Sequence, residues 1–132
     1  METKGTIRLD NPIMVDGLKH HELSYDFDAI TPDMFMEADI TAAGKALQMK
    51  KPTVTAPELD ASFHLQLGIQ AVIAANPTWD ATDVGRVRGR DVYRVMAVGR
   101  DFMTAAVEED EDADTDAAAG QSAEGDEKAG QE

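Results

Sequence analysis

Four groups of side chains in this chain of 132 residues have types and spacings that could do chemistry. His20 and His21, with Asp26 and Asp28 close behind, offer imidazoles and carboxylates of the kind that hold a divalent metal. The spacing is poor for that purpose. Neighbouring side chains on a strand point to opposite faces, so adjacent histidines meet at one ion only across a bulge, and a solvated strand edge is the simpler reading. His64 stands four residues after Asp60 in an apolar segment, which suits a partly buried imidazole with a local carboxylate partner rather than a catalytic base. Asp26, Asp28, Asp33, Glu37 and Asp39 gather where a helix should begin, and negative charge there complements the positive end of the helix dipole. They lack the spacing and the central glycine of a calcium-binding EF-hand loop. Arg86, Arg88, Arg90, Arg94 and Arg100 could hold phosphate, but Asp80, Asp83, Asp91 and Asp101 are interleaved with them. Local salt bridges are the plainer reading, with the protein's own acidic tail or an acidic partner as a further candidate for the strip.

No phosphate loop, nucleophile elbow or dinucleotide fingerprint occurs, so the expectation is a chain with no catalytic residue, no cofactor and no metal. With no cysteine, disulfides, thiolate zinc sites and a cysteine nucleophile are excluded, and a reducing cytoplasm suits the composition. No apolar run approaches the roughly 20 residues needed to cross a bilayer, and Met1-Glu2-Thr3-Lys4 is unlike the start of a signal peptide. A soluble protein with no membrane partner is expected. The formal net charge of −14 argues against nucleic acid as a partner, because phosphate contacts need a basic surface.

That charge is unevenly placed. From Glu108 to Glu132 there are 11 acidic residues and one basic residue, so this stretch carries −10 and leaves −4 on residues 1 to 107. It has no aromatic or branched aliphatic side chain, and cannot bury enough apolar surface to offset the entropy of ordering it. Residues 108–132 therefore read as a disordered acidic tail, and residues 1–107 as the single small folded domain.

Within the body, Ile7 and Leu9, then Ile13 and Val15, alternate with polar residues as in half-buried strands, with Pro12 interrupting the ladder. Asp16-Gly17 is the dipeptide that most readily makes a tight hairpin turn, and the return strand should end near Tyr25 and Phe27. Thr31-Pro32 starts a first helix, in which Met36, Ile40, Ala43 and Leu47 form an apolar stripe, closed by Lys50-Lys51-Pro52. Thr55-Ala56-Pro57-Glu58 offers a capping box for a second helix that ends at Asn76-Pro77. Between Leu65 and Ala75 its only polar side chains are Gln66 and Gln70, which with Ser62 make one narrow polar stripe, so the helix must be buried on most sides or meet another chain. Asp80 to Gly85 reads as a short helical turn. A last helix from Gly89 or Arg90 has Val92, Val95, Met96, Gly99 and Phe102 or Met103 inside. The fold class expected is α+β and mostly helical: an N-terminal β-hairpin, three helices, a short helical turn and the tail. The seven methionines, adaptable and unbranched, suit either core filling or a surface that accepts varied apolar partners.

Leu9-Asp10-Asn11-Pro12-Ile13-Met14-Val15-Asp16-Gly17, then Glu22-Leu23-Ser24-Tyr25-Asp26-Phe27 and Ile30-Thr31, resemble the opening of the small tail assembly chaperones of tailed bacteriophages. Arg88-Gly89-Arg90-Asp91-Val92-Tyr93-Arg94 through Phe102-Met103 resembles the close of their folded part, so the likeness spans about residues 6 to 104. Gly99 inside the last helix and the His20-His21 pair depart from the family pattern. The resemblance implies a non-catalytic protein in the infected host's cytoplasm that coats the helical tape measure protein until tail-tube subunits polymerise around it, and that is absent from the virion. It also implies a longer form, made by frameshifting, that recruits tube subunits. A client helix would insert apolar anchors between side chains of the chaperone, for which Phe35, Met36, Leu65, Ile69 and Val72 are the candidates. The same residues serve equally well as core or as a self-association surface in a homo-oligomer. A structural tail-tube or connector protein of the virion is the alternative reading, and an acidic mimic of DNA a more distant one.

Overall fold

The computed structural model describes the backbone of residues 2–50 and 56–123, and the side chains of the same residues except 57 and 109–123. Strands β1 (Lys4–Val15) and β2 (Leu18–Asp26) form an antiparallel two-stranded sheet. Helices α1 (Pro32–Gln48), α2 (Ala61–Ala75), α3 (Ala81–Val84) and α4 (Arg90–Ala123) follow, with single 3-10 turns at Phe27–Ala29 and Pro57–Leu59. This is the expected α+β, mostly helical order of hairpin, three helices and a short helical turn.

The hairpin closes at Asp16 and Gly17, both with positive φ (53° and 79°), the two-residue turn whose twist matches that of the strands. Pro12 does not end β1. Instead Arg8 pairs with Glu22 and Ile13 with His20, so residues 9 to 12 of β1 stand opposite His21 alone. This bulge carries the proline, which has no N–H for a ladder, and both alternations resume in phase around it. Ile7, Leu9, Ile13 and Val15 therefore all reach the core.

Thr31 caps α1 by accepting from the Met34 N–H at 3.2 Å, and Pro32 occupies the first turn, as the sequence leads one to expect. The start of α2 differs from expectation. Its N-cap is Asp60, whose carboxylate accepts from the Phe63 N–H at 3.2 Å. Pro57–Leu59 forms a 3-10 turn before it, and Thr55 lies outside the described residues. A carboxylate one residue before Ala61 is as good a cap as a threonine, and it leaves the proline in the entering turn. Asn76 ends α2 as expected and ties it to the hairpin, its side-chain amide donating to Val72 O at 2.8 Å and Ser24 O at 3.3 Å. Asp80 and Asp83 form a reciprocal capping box around α3, with both bonds at 3.0 Å.

Helix α2 lies at the centre. Its Ile69 and Val72 face a cluster built with the hairpin, Val84 and Val95. Its Phe63, Leu67 and Ala71 face a second cluster with Phe27, Ala38 and Ala42. Phe102 of α4 closes that second cluster by stacking on Phe27, with ring centroids 4.5 Å apart and planes 8° from parallel. The crossing of α2 and α4 is set by two glycines. A Cβ on Gly68 would collide with the carbonyl of Val95, and one on Gly99 with the carbonyl of His64. Backbone is thus in contact with backbone, an approach that no residue with a side chain permits.

One buried charge joins α4 to the hairpin. Asp91, in the first turn of α4, is fully buried and accepts from the N–H groups of Asp10 (2.9 Å) and Asn11 (2.8 Å) in the β1 bulge. Arg94, one turn along, reaches Asp91 at 2.9 Å and Asp10 at 2.9 Å. Burial pushes the Asp91 carboxyl up, but the hydrogen bonds from Asp10 and Asn11 and the Arg94 guanidinium outweigh it and hold the group below its ordinary value. The helix also outruns expectation. Phe102 and Met103 are its last members packed on the two clusters among the described residues, yet helical backbone continues through Ala123. Alanine and glutamate are good helix formers without any packing, so the loss of core contacts near Val107 does not mark a break in the backbone. Residues 124–132 of the acidic tail lie outside the described residues.

Two outcomes follow from these contacts. Gly99→Ala, which helix propensity alone favours by about 1 kcal/mol, should instead destabilise the protein by about 3 kcal/mol or more, since the added carbon meets backbone that cannot swing aside; urea denaturation reads the difference. Asp91→Asn keeps the shape but faces one of two N–H donors with another donor, and should cost about 3 kcal/mol. Because the folded Asp91 carboxyl lies below its unfolded value, its contribution is complete above about pH 4 and is lost as pH falls through the folded value. The stability gap between wild type and Asp91→Asn should therefore narrow as pH falls below about 4.

Candidate functional site

Three of the five acidic residues around the start of α1 have structural partners. Asp26 accepts from the Asp28 N–H at 2.9 Å, Asp28 accepts from the Thr3 hydroxyl at 2.9 Å, and Glu37 accepts from the Thr41 hydroxyl at 3.2 Å. His20 packs edge-on against Trp79, with ring centroids 4.8 Å apart, while His21 points to solvent. Among the described residues no group of three or more His, Cys, Asp or Glu side chains is placed to hold a metal. His64 is buried as expected but lacks the expected carboxylate partner. Asp60 is engaged in capping α2, and His64 Nε2 has no hydrogen-bond partner.

Most of the arginine strip is spent on local pairing. Arg86 bonds Asp83 at 3.1 Å and the Met14 carbonyl at 2.7 Å, Arg94 bonds Asp10 and Asp91, and Arg100 bonds Asp101 at 3.3 Å. Arg100 also donates to the Tyr93 hydroxyl at 3.0 Å, and this bond, with the Asp101 carboxylate, raises its pKa. Tyr93 is 57 % exposed and stands between two shallow grooves. One, of about 370 Å³, runs between β1 and α4 past Arg8 and Ala97. The other, of about 420 Å³, is walled by Ala61, Leu65, Val92 and Met96. The sequence alone does not single out Tyr93, since an exposed tyrosine on a helix has no periodic signature.

The five candidate partner-binding residues do not form one surface. Leu65, Ile69 and Val72 lie on the side of α2 that faces the hairpin, opposite the side that α1 covers. Ile69 and Val72 are buried there and are core, and Leu65 is a partly buried groove wall. The hairpin covers this side through Ile7, Leu9, Ile13, Val15 and Leu23, with Val95 of α4 beside them. Phe35 and Met36 remain at the surface, Phe35 resting edge-on against Phe63 with ring centroids 5.2 Å apart.

Around Met36 lies the largest unpartnered apolar feature of α1. This helix packs on α2 through Ala38 and Ala42, one turn apart, whose small side chains allow close approach. On the opposite side of the helix the stripe Met36, Ile40, Ala43 and Leu47 faces solvent, with Ile40 64 % and Leu47 80 % exposed. Full burial of a side chain of this size is worth about 1.5–3 kcal/mol, so three such residues in one line are a substantial unrealised contribution. Single exposed apolar residues are ordinary, whereas a continuous line of them marks a contact surface. The stripe is legible in the sequence as spacing, but which of the two apolar faces of α1 turns inward is not.

Compared with protein-family models, curated proteins and solved structures, the chain matches none. Among the described residues no helix is long and apolar enough to cross a membrane.

A pair of substitutions separates surface from core. Ile40→Asp should leave the unfolding free energy within about 0.5 kcal/mol of wild type, as expected of an exposed site, whereas Ile69→Asp places a charge in the core and should abolish cooperative folding; circular dichroism during urea titration distinguishes them.

Proposed function

We propose that this chain is a non-catalytic tail assembly chaperone of a tailed bacteriophage, which binds helical segments of the tape measure protein in the host cytoplasm and keeps them soluble until the tail tube forms. Two things support the reading: the resemblance of residues 6 to 104 to that family and the apolar stripe of α1. The single observation that carries it is the stripe, Met36, Ile40, Ala43 and Leu47, turned away from the core beside Phe35. An amphipathic helix needs an apolar surface of about its own length to cover its apolar side, and the three turns from Met36 to Leu47 are of that kind. The binding surface in this proposal is the outer face of α1, with Met36 retained and Ile40 and Leu47 added, and without Ile69 and Val72; Phe35 lies at its inner edge against Phe63. The acidic tail acts as a solubilising brush, since a net charge far from zero opposes association of loaded complexes.

Co-expression with the large helical protein encoded next to this chain, followed by affinity capture from the soluble fraction, tests the reading. The client should become soluble and co-purify with wild type but not with Ile40→Asp. A client that stays insoluble, together with discrete rings formed by this chain alone, would instead favour a tail-tube or connector protein.

A further inference from the structure

The spacing of the stripe, four, three and four residues, is that of alternating d and a positions in a heptad, the seam along which two helices pack. In that register Glu37 takes an e position and Asp39 a g position, the two flanking places whose charges choose the partner. Asp33, three residues before Met36, takes the a position at which the apolar seam ends. All three carboxylates are exposed, and none is in an ion pair among the described residues. The one basic residue within α1, Lys45, lies on the side of the helix away from the stripe. The seam is thus bordered by negative charge over its first turns.

Resting on the chaperone reading and going beyond it, we propose that the outer face of α1 takes a cationic amphipathic helix, whose apolar seam is bordered by Lys or Arg. Charge complementarity excludes the nearest alternatives. A second copy brings an identical acidic border and a net charge of −14 against one of −14, and the chain's own tail is acidic as well. A helix with basic flanks instead places cations against Glu37 and Asp39 while Met36, Ile40 and Leu47 are buried. The border selects the client and the seam holds it.

Two fluorescent synthetic helices with the same Leu and Ile seam, one with Lys and one with Glu at its e and g positions, are titrated with the full-length protein and followed by anisotropy. The Lys helix should bind about tenfold or more tightly than the Glu helix, the scale of a few close charge pairs, and the preference should shrink in about 0.5 M salt. The double variant Glu37→Lys, Asp39→Lys should reverse the preference, and Ile40→Asp should abolish both. Equal binding of the two helices, or a preference unmoved by charge reversal, overturns the proposal. So does a dimer by light scattering that Ile40→Asp converts to monomer, because a second copy then covers the seam. If the tape measure protein is captured through Ile40 without the Lys preference, the charge inference alone fails. If the Lys helix is selected but the tape measure protein is not captured, the cationic seam stands and the chaperone reading falls.

Discussion

The closest constraint in this protein is the contact of backbone with backbone where α2 crosses α4. With Gly68 against the Val95 carbonyl and Gly99 against the His64 carbonyl, the two helices approach as near as their main chains allow. Much else follows from that distance. Val95 and Val98 are pressed toward the hairpin cluster, Phe102 is brought over Phe27, and the hairpin-facing side of α2 is sealed. Only the side of α2 bearing Phe63, Leu67 and Ala71 is then left for α1 to cover. The helix that takes it does so with alanines, and its large apolar residues are left outside.

Asp91 fixes where along the hairpin this helical pair is anchored. A buried carboxylate is costly unless its lone pairs are filled, and here they are filled by two adjacent N–H groups that the β1 bulge releases from the ladder. The bulge and the acid explain one another: Asp91 supplies the acceptor for the Asp10 and Asn11 N–H groups, and without the bulge it would keep only Arg94 as a partner. Arg94 completes the arrangement from the solvent side, where its bonds to Asp10 and Asp91 are partly exposed and act more as guides than as large energies.

This division between a tightly specified interior and an unsatisfied exterior bears on function. Many of the catalytic-looking residues are accounted for by caps, by an aromatic contact and by ion pairs, while the buried His64 Nε2 is without a hydrogen-bond partner. What lacks a structural explanation is the line from Met36 to Leu47 with its acidic border, and the exposed Tyr93 between its two grooves. A surface that is apolar in the middle and charged at the rim is the arrangement found at the centre and edge of protein contacts, with the apolar part supplying affinity and the rim supplying choice.

From its own residues the sequence determined the elements whose causes are local. The Asp16-Gly17 turn, the Thr31-Pro32 helix start, the Asn76 stop and the short helical turn from Asp80 to Gly85 all depend on neighbours within a few positions, and the structure has each of them. The α2 cap could not be settled in that way, because Thr55 and Asp60 are equally competent locally and packing chooses between them. Tertiary structure alone decided which face of α1 turned inward, that Ile69 and Val72 were core, and that Asp91 met the bulge 80 residues away in sequence. The physical reason is the same in each case. Periodicity records that a helix has an apolar face, but the partner for that face is set by contacts distant in sequence, as where Gly68 and Gly99 let α2 and α4 touch backbone to backbone.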